Sequence, residues 1–313
     1  MPKKLLDNFS SLLGFVLLGI SLAAIHYELR HYNYRDIVNT LRALPASRLY
    51  SAIGLTALSY LGIAMYDSLA FRYIGHSIAF SKSFFTGFIS AAATNTVGFA
   101  FLTGSAIRYR FYSTWGVSAF AIAQVIVFEN ISFWLGLLAV SGVMFLSHPL
   151  EIPTQLKLPL SVRPLGIIFL LLVAAYLLGS IVSRQPLKIR GREFRFPSLQ
   201  ISLAQLGISC IDWIVAAAVL YVLLPSPTPI SFIGFLGIFL LAMTGGVVSN
   251  VPGGLGVFEG VILLLLSSKI APTTVFGTLL AYRGVYYFLP LGVATGLLGL
   301  YEIRARLKKR SHS

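Results

Sequence analysis

The sequence predicts an all-α polytopic membrane protein, and three observations carry that class. Hydrophobic residues make up 57% of the 313 and charged residues only 11%, against about 25% charged in soluble domains. Apolar runs of spanning length recur from residue 12 to residue 301, joined by short polar connections. Two of these runs are interrupted by polar and glycine residues, which lipid-facing helices do not tolerate unless protein or a wet cavity covers the break. The expectation is about seven to nine hydrophobic helices, one or two of them broken or re-entrant, in a single integral membrane domain over 1–313.

Each element can be justified in turn. Pro2, Lys3 and Lys4 precede an apolar run at 12–25 that reads as a first span. A signal peptide with Ser21-Leu22-Ala23 as its cleavage-like site is the alternative, and the many later spans weigh against it. In 34–44, Ile37, Val38, Leu41 and Leu44 share a helical face opposite Arg35, Asp36 and Arg42, the pattern of an interfacial helix. A second span covers 49–73, with Asp67 near its end and Arg72 beyond as its expected partner. Residues 84–107 are long enough to cross but are interrupted at Thr94-Asn95-Thr96-Val97-Gly98 and closed by Arg108 and Arg110. A long helix at 117–146 holds Glu129 and Asn130, and 165–182 is apolar throughout. A basic loop follows (Arg184, Lys188, Arg190, Arg192, Arg195), then a span at 199–224 containing Asp212. After the turn Pro225-Ser226-Pro227-Thr228-Pro229, apolar runs at 230–248 and 261–266 flank the second break. The last span, 273–301, contains Arg283 and Pro290, and a basic tail ends the chain at 304–310.

The formal charge of +14 is distributed as short cationic runs between spans, so it marks membrane orientation and anionic headgroups instead of nucleic acid. The basic segments 184–195 and 304–310 should share the cytoplasmic side, as should Lys3 and Lys4. Five full crossings before 184–195 would put that loop outside. The conflict disappears if 84–107 folds back as a re-entrant hairpin, which is the reading favoured over an external N-terminus. The C-terminus is then cytoplasmic. Cys210 is the one cysteine, and the five histidines show no ligand spacing, so neither a disulfide nor a metal site is expected. No Walker, zincin or serine-hydrolase motif occurs, and no cofactor is expected.

The second break, Ser249-Asn250-Val251-Pro252-Gly253-Gly254-Leu255-Gly256-Val257-Phe258-Glu259-Gly260, is the sharpest feature. Pro252 lacks an amide donor, and Gly253, Gly254 and Gly256 favour open backbone. Asn250 and Glu259 bracket the break, and both are costly at membrane depth. The first break answers it: Asn95 is followed by Gly98, Gly104 and Glu129, as Asn250 is followed by Gly253, Gly256 and Arg283. The buried charge sits thirty-four residues on in one case and thirty-three in the other, with opposite sign. Repeat halves at 49–146 and 199–301 with inverted topology would bring two re-entrant breaks toward the midplane from opposite faces, a carrier architecture.

Two stretches, Asn250 to Glu259 and Tyr282-Arg283-Gly284-Val285-Tyr286-Tyr287-Phe288-Leu289-Pro290, resemble the transmembrane flippase region of the lysylphosphatidylglycerol synthase/flippase family and its stand-alone relatives. The first half departs from that family's pattern. A proline is missing after Asn95, Ser105 stands where an acid is usual, and only Glu129 remains of its helix motif. The resemblance implies translocation of a polar-headed lipid between the leaflets of a bacterial inner membrane. It also implies that aminoacyl transfer, which those synthases carry out in a soluble domain, is not expected here. The rival expectations are a membrane-embedded lipid-modifying transferase and a non-catalytic scaffold for lipid enzymes.

The expected substrate site comprises Asn250, Glu259, Arg283, Tyr286, Tyr287, Glu129, Asn95 and Arg108. Arg283 is the phosphate ligand by virtue of its planar donor fork, unless it pairs structurally with Glu129 or Glu259. Glu259 is a headgroup or proton partner, or a cap on the helix that resumes at Phe258. Tyr286 stands one helical turn from Arg283. Gly98, Gly104, Pro252, Gly253, Gly254 and Gly256 shape the breaks. Asp212, which has no local partner, and Asp67 are candidates for coupling. The expected partners are membrane lipids with anionic or phosphate-bearing headgroups, with a homo-oligomer or a lipid enzyme as a further partner.

Overall fold

The computed structural model describes residues 42, 44–97, 100–148, 162–182, 187–189, 192–249, 254 and 256–310. The first span at 12–25, all but the last residues of the interfacial helix at 34–44, and the break residues Gly98, Asn250, Pro252 and Gly253 lie outside them. The described chain is helical apart from one short hairpin. Its elements are α1 (Ala46–Tyr73), α2 (Phe80–Val97), α3 (Ala100–Thr114), α4 (Ala119–Ser147), α5 (Arg163–Val182), β1 (Leu187–Ile189), β2 (Arg192–Phe194), α6 (Leu199–Leu223), α7 (Phe232–Val248), α8 (Val257–Leu266) and α9 (Pro272–Tyr282). A π-helical turn (Arg283–Phe288) then leads into α10 (Leu289–Arg310). The antiparallel β1–β2 ladder sits in what reads from sequence as a plain basic loop.

Among the described residues, five segments are long and apolar enough to cross a membrane: α1, α4, α5, α6 and the continuous run from Pro272 to Arg304. At about 1.5 Å per residue, the 28 residues of α1 exceed a hydrocarbon core of about 30 Å. Serines start three helices: Ser118, Ser198 and Ser231 accept bonds from the backbone amides of Ala121, Ile201 and Gly234, satisfying donors that lipid could not.

Helices α1 and α6 form the centre and run antiparallel. Arg48 at the start of α1 donates to the Leu224 carbonyl just after α6 (2.5 Å), and Tyr73 at the end of α1 donates to the Arg195 carbonyl just before it. Small residues set the other close crossings. A Cβ on Gly136 of α4 would lie 2.6 Å from the Ser209 backbone of α6, and one on Gly166 of α5 would lie 3.1 Å from the Gly142 carbonyl of α4, the small-residue contacts by which membrane helices approach. Along α5, Ile167, Ile168, Leu171, Leu172 and Leu178 are exposed, so this helix is a peripheral wall.

Two pairs of shorter helices fold back on themselves, α2 on α3 and α7 on α8. The order long helix, hairpin, long helix therefore occurs twice: α1, α2/α3, α4 and then α6, α7/α8, α9–α10. Because α1 and α6 are antiparallel, the two hairpins start from opposite ends of the bundle. The fold-back expected for 84–107 is present, but the interruption read at 94–98 is not seen over Thr94–Val97. Helix α2 continues to Val97, so Asn95 is helical and not part of the break. No proline stops the chain there, and the Asn95 amide finds a partner in the Tyr60 hydroxyl of α1 (3.3 Å). Gly104 likewise lies within α3 and does not shape the turn.

Candidate functional site

Six charged groups from the long helices and the hairpins' returning arms are gathered inside the bundle, and the fold sorts them into two triads. The first joins Asp67 (α1), Arg108 (α3) and Glu129 (α4). Arg108 donates through Nε to Asp67 Oδ1 at 3.0 Å and through Nη2 to Asp67 Oδ2 at 3.2 Å, and Nη2 also reaches Glu129 Oε1. Asp67 is fully buried and Arg108 is 4% exposed. Glycines make the room. A Cβ on Gly87 would lie 2.6 Å from Asp67 Oδ2, and one on Gly104 would lie 2.6 Å from Thr94 Oγ1 and 2.9 Å from Arg108 Nη1. The role of Gly104 is thus to seat the guanidinium. The expected Asp67–Arg72 pair is not formed: Arg72 is exposed at the end of α1 while Asp67 turns inward to α3.

The second triad is looser: Glu259 (α8) pairs with Arg283 (π turn), and Asp212 (α6) reaches the same turn through Ser59 and Tyr286. Gly256, at φ +78°, turns the chain into α8, a conformation that favours glycine. Glu259 does two things at once. Its Oε2 accepts the Gly256 amide at 2.9 Å, capping the helix, while its Oε1 accepts Arg283 Nε at 2.8 Å and Nη2 at 2.5 Å. The cap expected of this glutamate is formed, and the carboxylate that pairs with Arg283 is Glu259, not Glu129. Gly254, at φ +64°, packs on Gly246, where an added Cβ would lie 3.4 Å from Cα. Tyr287 covers the guanidinium, its ring centroid 4.5 Å from the Arg283 carbon. Tyr286 stands elsewhere: its hydroxyl lies 2.9 Å from Ser59 Oγ, and Ser59 donates to Asp212 Oδ1 at 2.5 Å. The two tyrosines thus face different members of the triad.

The triads mirror each other element for element. The long leading helices carry Asp67 and Asp212. The returning arms carry Arg108 and Glu259, and the long following helices carry Glu129 and Arg283. An ion pair joins arm to following helix in each half, with the signs exchanged. Each triad holds two carboxylates and one guanidinium. Arg108 contacts both of its carboxylates, whereas no cation pairs with Asp212 among the described residues.

Both hairpins reach the π turn. Thr96 Oγ1, near the tip of α2, shares its proton between the Ala92 carbonyl at 3.0 Å and the Tyr287 carbonyl at 3.4 Å, and Glu259 at the start of α8 holds Arg283. Pro290 explains the turn itself. It lacks the amide that would bond the Tyr286 carbonyl, so the helix widens, with Leu289 donating to the Gly284 carbonyl five residues back. The freed Tyr286 carbonyl accepts the Tyr60 hydroxyl of α1 at 3.1 Å. From sequence, Pro290 is a simple kink; in the fold it produces the turn on which the site is built.

Three participants are not expected from sequence. Glu302 pairs with Arg110, both at 5% exposure, near the end of the bundle that also holds the end of α1. At a span's edge, such charges look like interfacial anchors. Gln205 is fully buried and binds the Phe128 carbonyl, Ser132 and the Tyr176 hydroxyl; a lone glutamine inside an apolar run was its only signal. Ser59 gave none. A surface cleft of about 420 Å³, lined in part by Ser47, Arg48, Ser51 and Thr228, lies at the bundle end where α1 begins, away from the triads.

Antiparallel central helices, two opposed fold-back hairpins and buried charges at their meeting point define a polytopic membrane protein whose helices are interrupted around a polar centre, an arrangement seen in transporters. The chain belongs to the family described as the lysylphosphatidylglycerol synthase TM region, whose model matches residues 11–294. It is 46% identical over 301 residues to an uncharacterized protein of Synechocystis sp., covering 95% of this chain and 93% of that one. It is 30% identical over 309 residues to the inner membrane protein YbhN of Escherichia coli, covering 98% and 94%. The phosphatidylglycerol lysyltransferase of Staphylococcus aureus is 28% identical over 298 residues, which is 94% of this chain but 34% of that enzyme.

Proposed function

We propose that this protein moves a polar-headed phospholipid between the leaflets of the bacterial inner membrane, acting as a transporter and not as an enzyme. The observation that carries the reading is the buried Arg283–Glu259 pair, set where both hairpins converge on the π turn. A charged headgroup crosses hydrocarbon slowly because it must shed its hydration. A guanidinium that exchanges its carboxylate for a lipid phosphate offers the headgroup a bidentate partner along the way, while the acyl chains remain in lipid. Tyr287 stays stacked on the cation in either pairing. Arg108, already held by two carboxylates, serves as the scaffold of the first half. The name of the related inner membrane protein and the basic tail at 304–310 support an inner-membrane location with a cytoplasmic C-terminus.

The test is reconstitution into phosphatidylcholine–phosphatidylglycerol vesicles carrying a fluorescent phospholipid, with an impermeant quencher reading the outer leaflet. The protein should speed exchange over protein-free vesicles, and Arg283→Ala and Glu259→Gln should lose most of that acceleration. Arg283→Ala exchanging lipid at the unaltered rate would remove the site assignment. No acceleration by the unaltered protein with any headgroup would remove the function.

A further inference from the structure

Asp212 is the one carboxylate of the two triads that touches no cation among the described residues, and its environment consists of groups that can reverse the direction of a hydrogen bond. Ser59 Oγ donates to its Oδ1 at 2.5 Å. Ser59 Oγ and the Tyr286 hydroxyl lie 2.9 Å apart, and either can donate. Beyond them the Tyr60 hydroxyl donates to the Tyr286 carbonyl and accepts from Asn95. Ser59 and Tyr286 are 1% and 6% exposed, and Asp212 is half-buried. The buried Tyr66 hydroxyl also lies beside the Asp212 carboxylate.

Asp212 is the carboxylate, among the described residues of α6 and the helices packed on it, that no cation contacts; other titratable groups lie on the same elements. They are Tyr60 and Tyr66 from α1, Cys210 from α6 itself, Tyr176 from α5, Tyr282 and Tyr286 from α9 and the π turn, and Glu129 from α4. Helix α7 contributes none. Tyrosine and cysteine are neutral near pH 7, and Glu129 is tied to Arg108.

We propose that Asp212 reversibly binds a proton, and that the Ser59–Tyr286 hydroxyl pair reports its protonation state to the π turn carrying Arg283. In the ionised state Tyr286 donates to Ser59 and Ser59 donates to the carboxylate. When hydronium delivers a proton to the carboxylate, leaving water, the acid donates to Ser59, Ser59 donates to Tyr286, and Tyr286 must direct its proton elsewhere. One protonation thus reverses two hydrogen bonds and alters the turn that presents Arg283. At the mirror position Asp67 is engaged directly by the guanidinium of Arg108 instead of by a serine–tyrosine hydroxyl pair. The inference deepens the transport reading by naming its coupling site, and it rests on that reading for its consequence but not for proton binding.

Infrared difference spectra of the full chain in nanodiscs, taken across an acid step, test the binding without any lipid movement. A protonated-carboxyl band should appear, vanish in Asp212→Asn, shift in Asp212→Glu and remain in Ser59→Ala. A band that persists unchanged in Asp212→Asn, or none in the unaltered protein, would overturn the proposal. So would a sodium-induced carboxylate shift with no protonated band. In vesicles, lipid exchange by the unaltered protein should change at least threefold on reversing a pH gradient, whereas Ser59→Ala and Asp212→Asn should be indifferent to it. A Ser59→Ala variant that keeps the full gradient response would overturn the relay. Absence of lipid exchange alongside an intact Asp212 band would count against the transport reading alone.

Discussion

Arg108 shows how one side chain organises half of the molecule. Its guanidinium bridges Asp67 of α1 and Glu129 of α4 from α3, so it ties the first hairpin to both long helices beside it. Removing one member of a buried ionic set costs about 3–5 kcal/mol, because the remaining charges stay buried without compensation. Arg108→Gln should therefore strip two carboxylates of their cation and lower the unfolding midpoint in detergent sharply. Arg72→Gln, altering an exposed arginine five residues from Asp67, should stay within about 0.5 kcal/mol of the unaltered protein. Equal losses in the two variants would mean that Asp67 draws its stabilisation from Arg72 after all.

The turn over Arg283–Phe288 illustrates an element whose geometry is written jointly by its own proline and by a distant tyrosine. Pro290 withholds an amide, and Tyr60 supplies a hydroxyl to the carbonyl left over. A buried carbonyl deprived of its partner costs about 1–3 kcal/mol. Tyr60→Phe should destabilise by that order in the native background. In a Pro290→Ala background the restored amide can satisfy the Tyr286 carbonyl, so the same substitution should cost measurably less. A double-mutant cycle on chemical or thermal unfolding reads this coupling, and strict additivity would show that the two residues act on separate features. Pro290→Ala should also slow lipid exchange, because an α-helical register would rotate Tyr287 away from the guanidinium.

The antiparallel centre makes a prediction about sidedness. Tyr73 and Arg195 meet at one end of the bundle, and Arg48 and Leu224 meet at the other. In a Cys210→Ser background, single cysteines at His76 and Arg195 should react with an impermeant thiol reagent from the same side of sealed membrane vesicles. A cysteine at Ser226 should react only from the opposite side. Labelling of positions 76 and 226 from one side would be incompatible with α1 crossing and with the fold-back of α2 on α3. The basic residues at 304–310 favour the His76 side as cytoplasmic.

Much of this was legible in the residues. Low charge and recurrent apolar runs dictate a polytopic helical protein, since only segments that satisfy their own backbone survive in lipid. The same physics marks the break before Glu259, where Gly254 and Gly256 adopt positive φ. It also marks Arg283 and Asp212, charges too costly to bury without reason. Parity of the basic loops called for a fold-back in 84–107. What the residues leave open is partnership. Nothing local distinguishes Arg72 from Arg108 as the companion of Asp67, since the answer depends on how α3 returns past α1. Ser59 and Gln205 are inconspicuous until packing buries them. Pairing between helices is fixed by long-range contacts, and a charge in a sequence announces that it needs a partner without saying from which helix the partner will come.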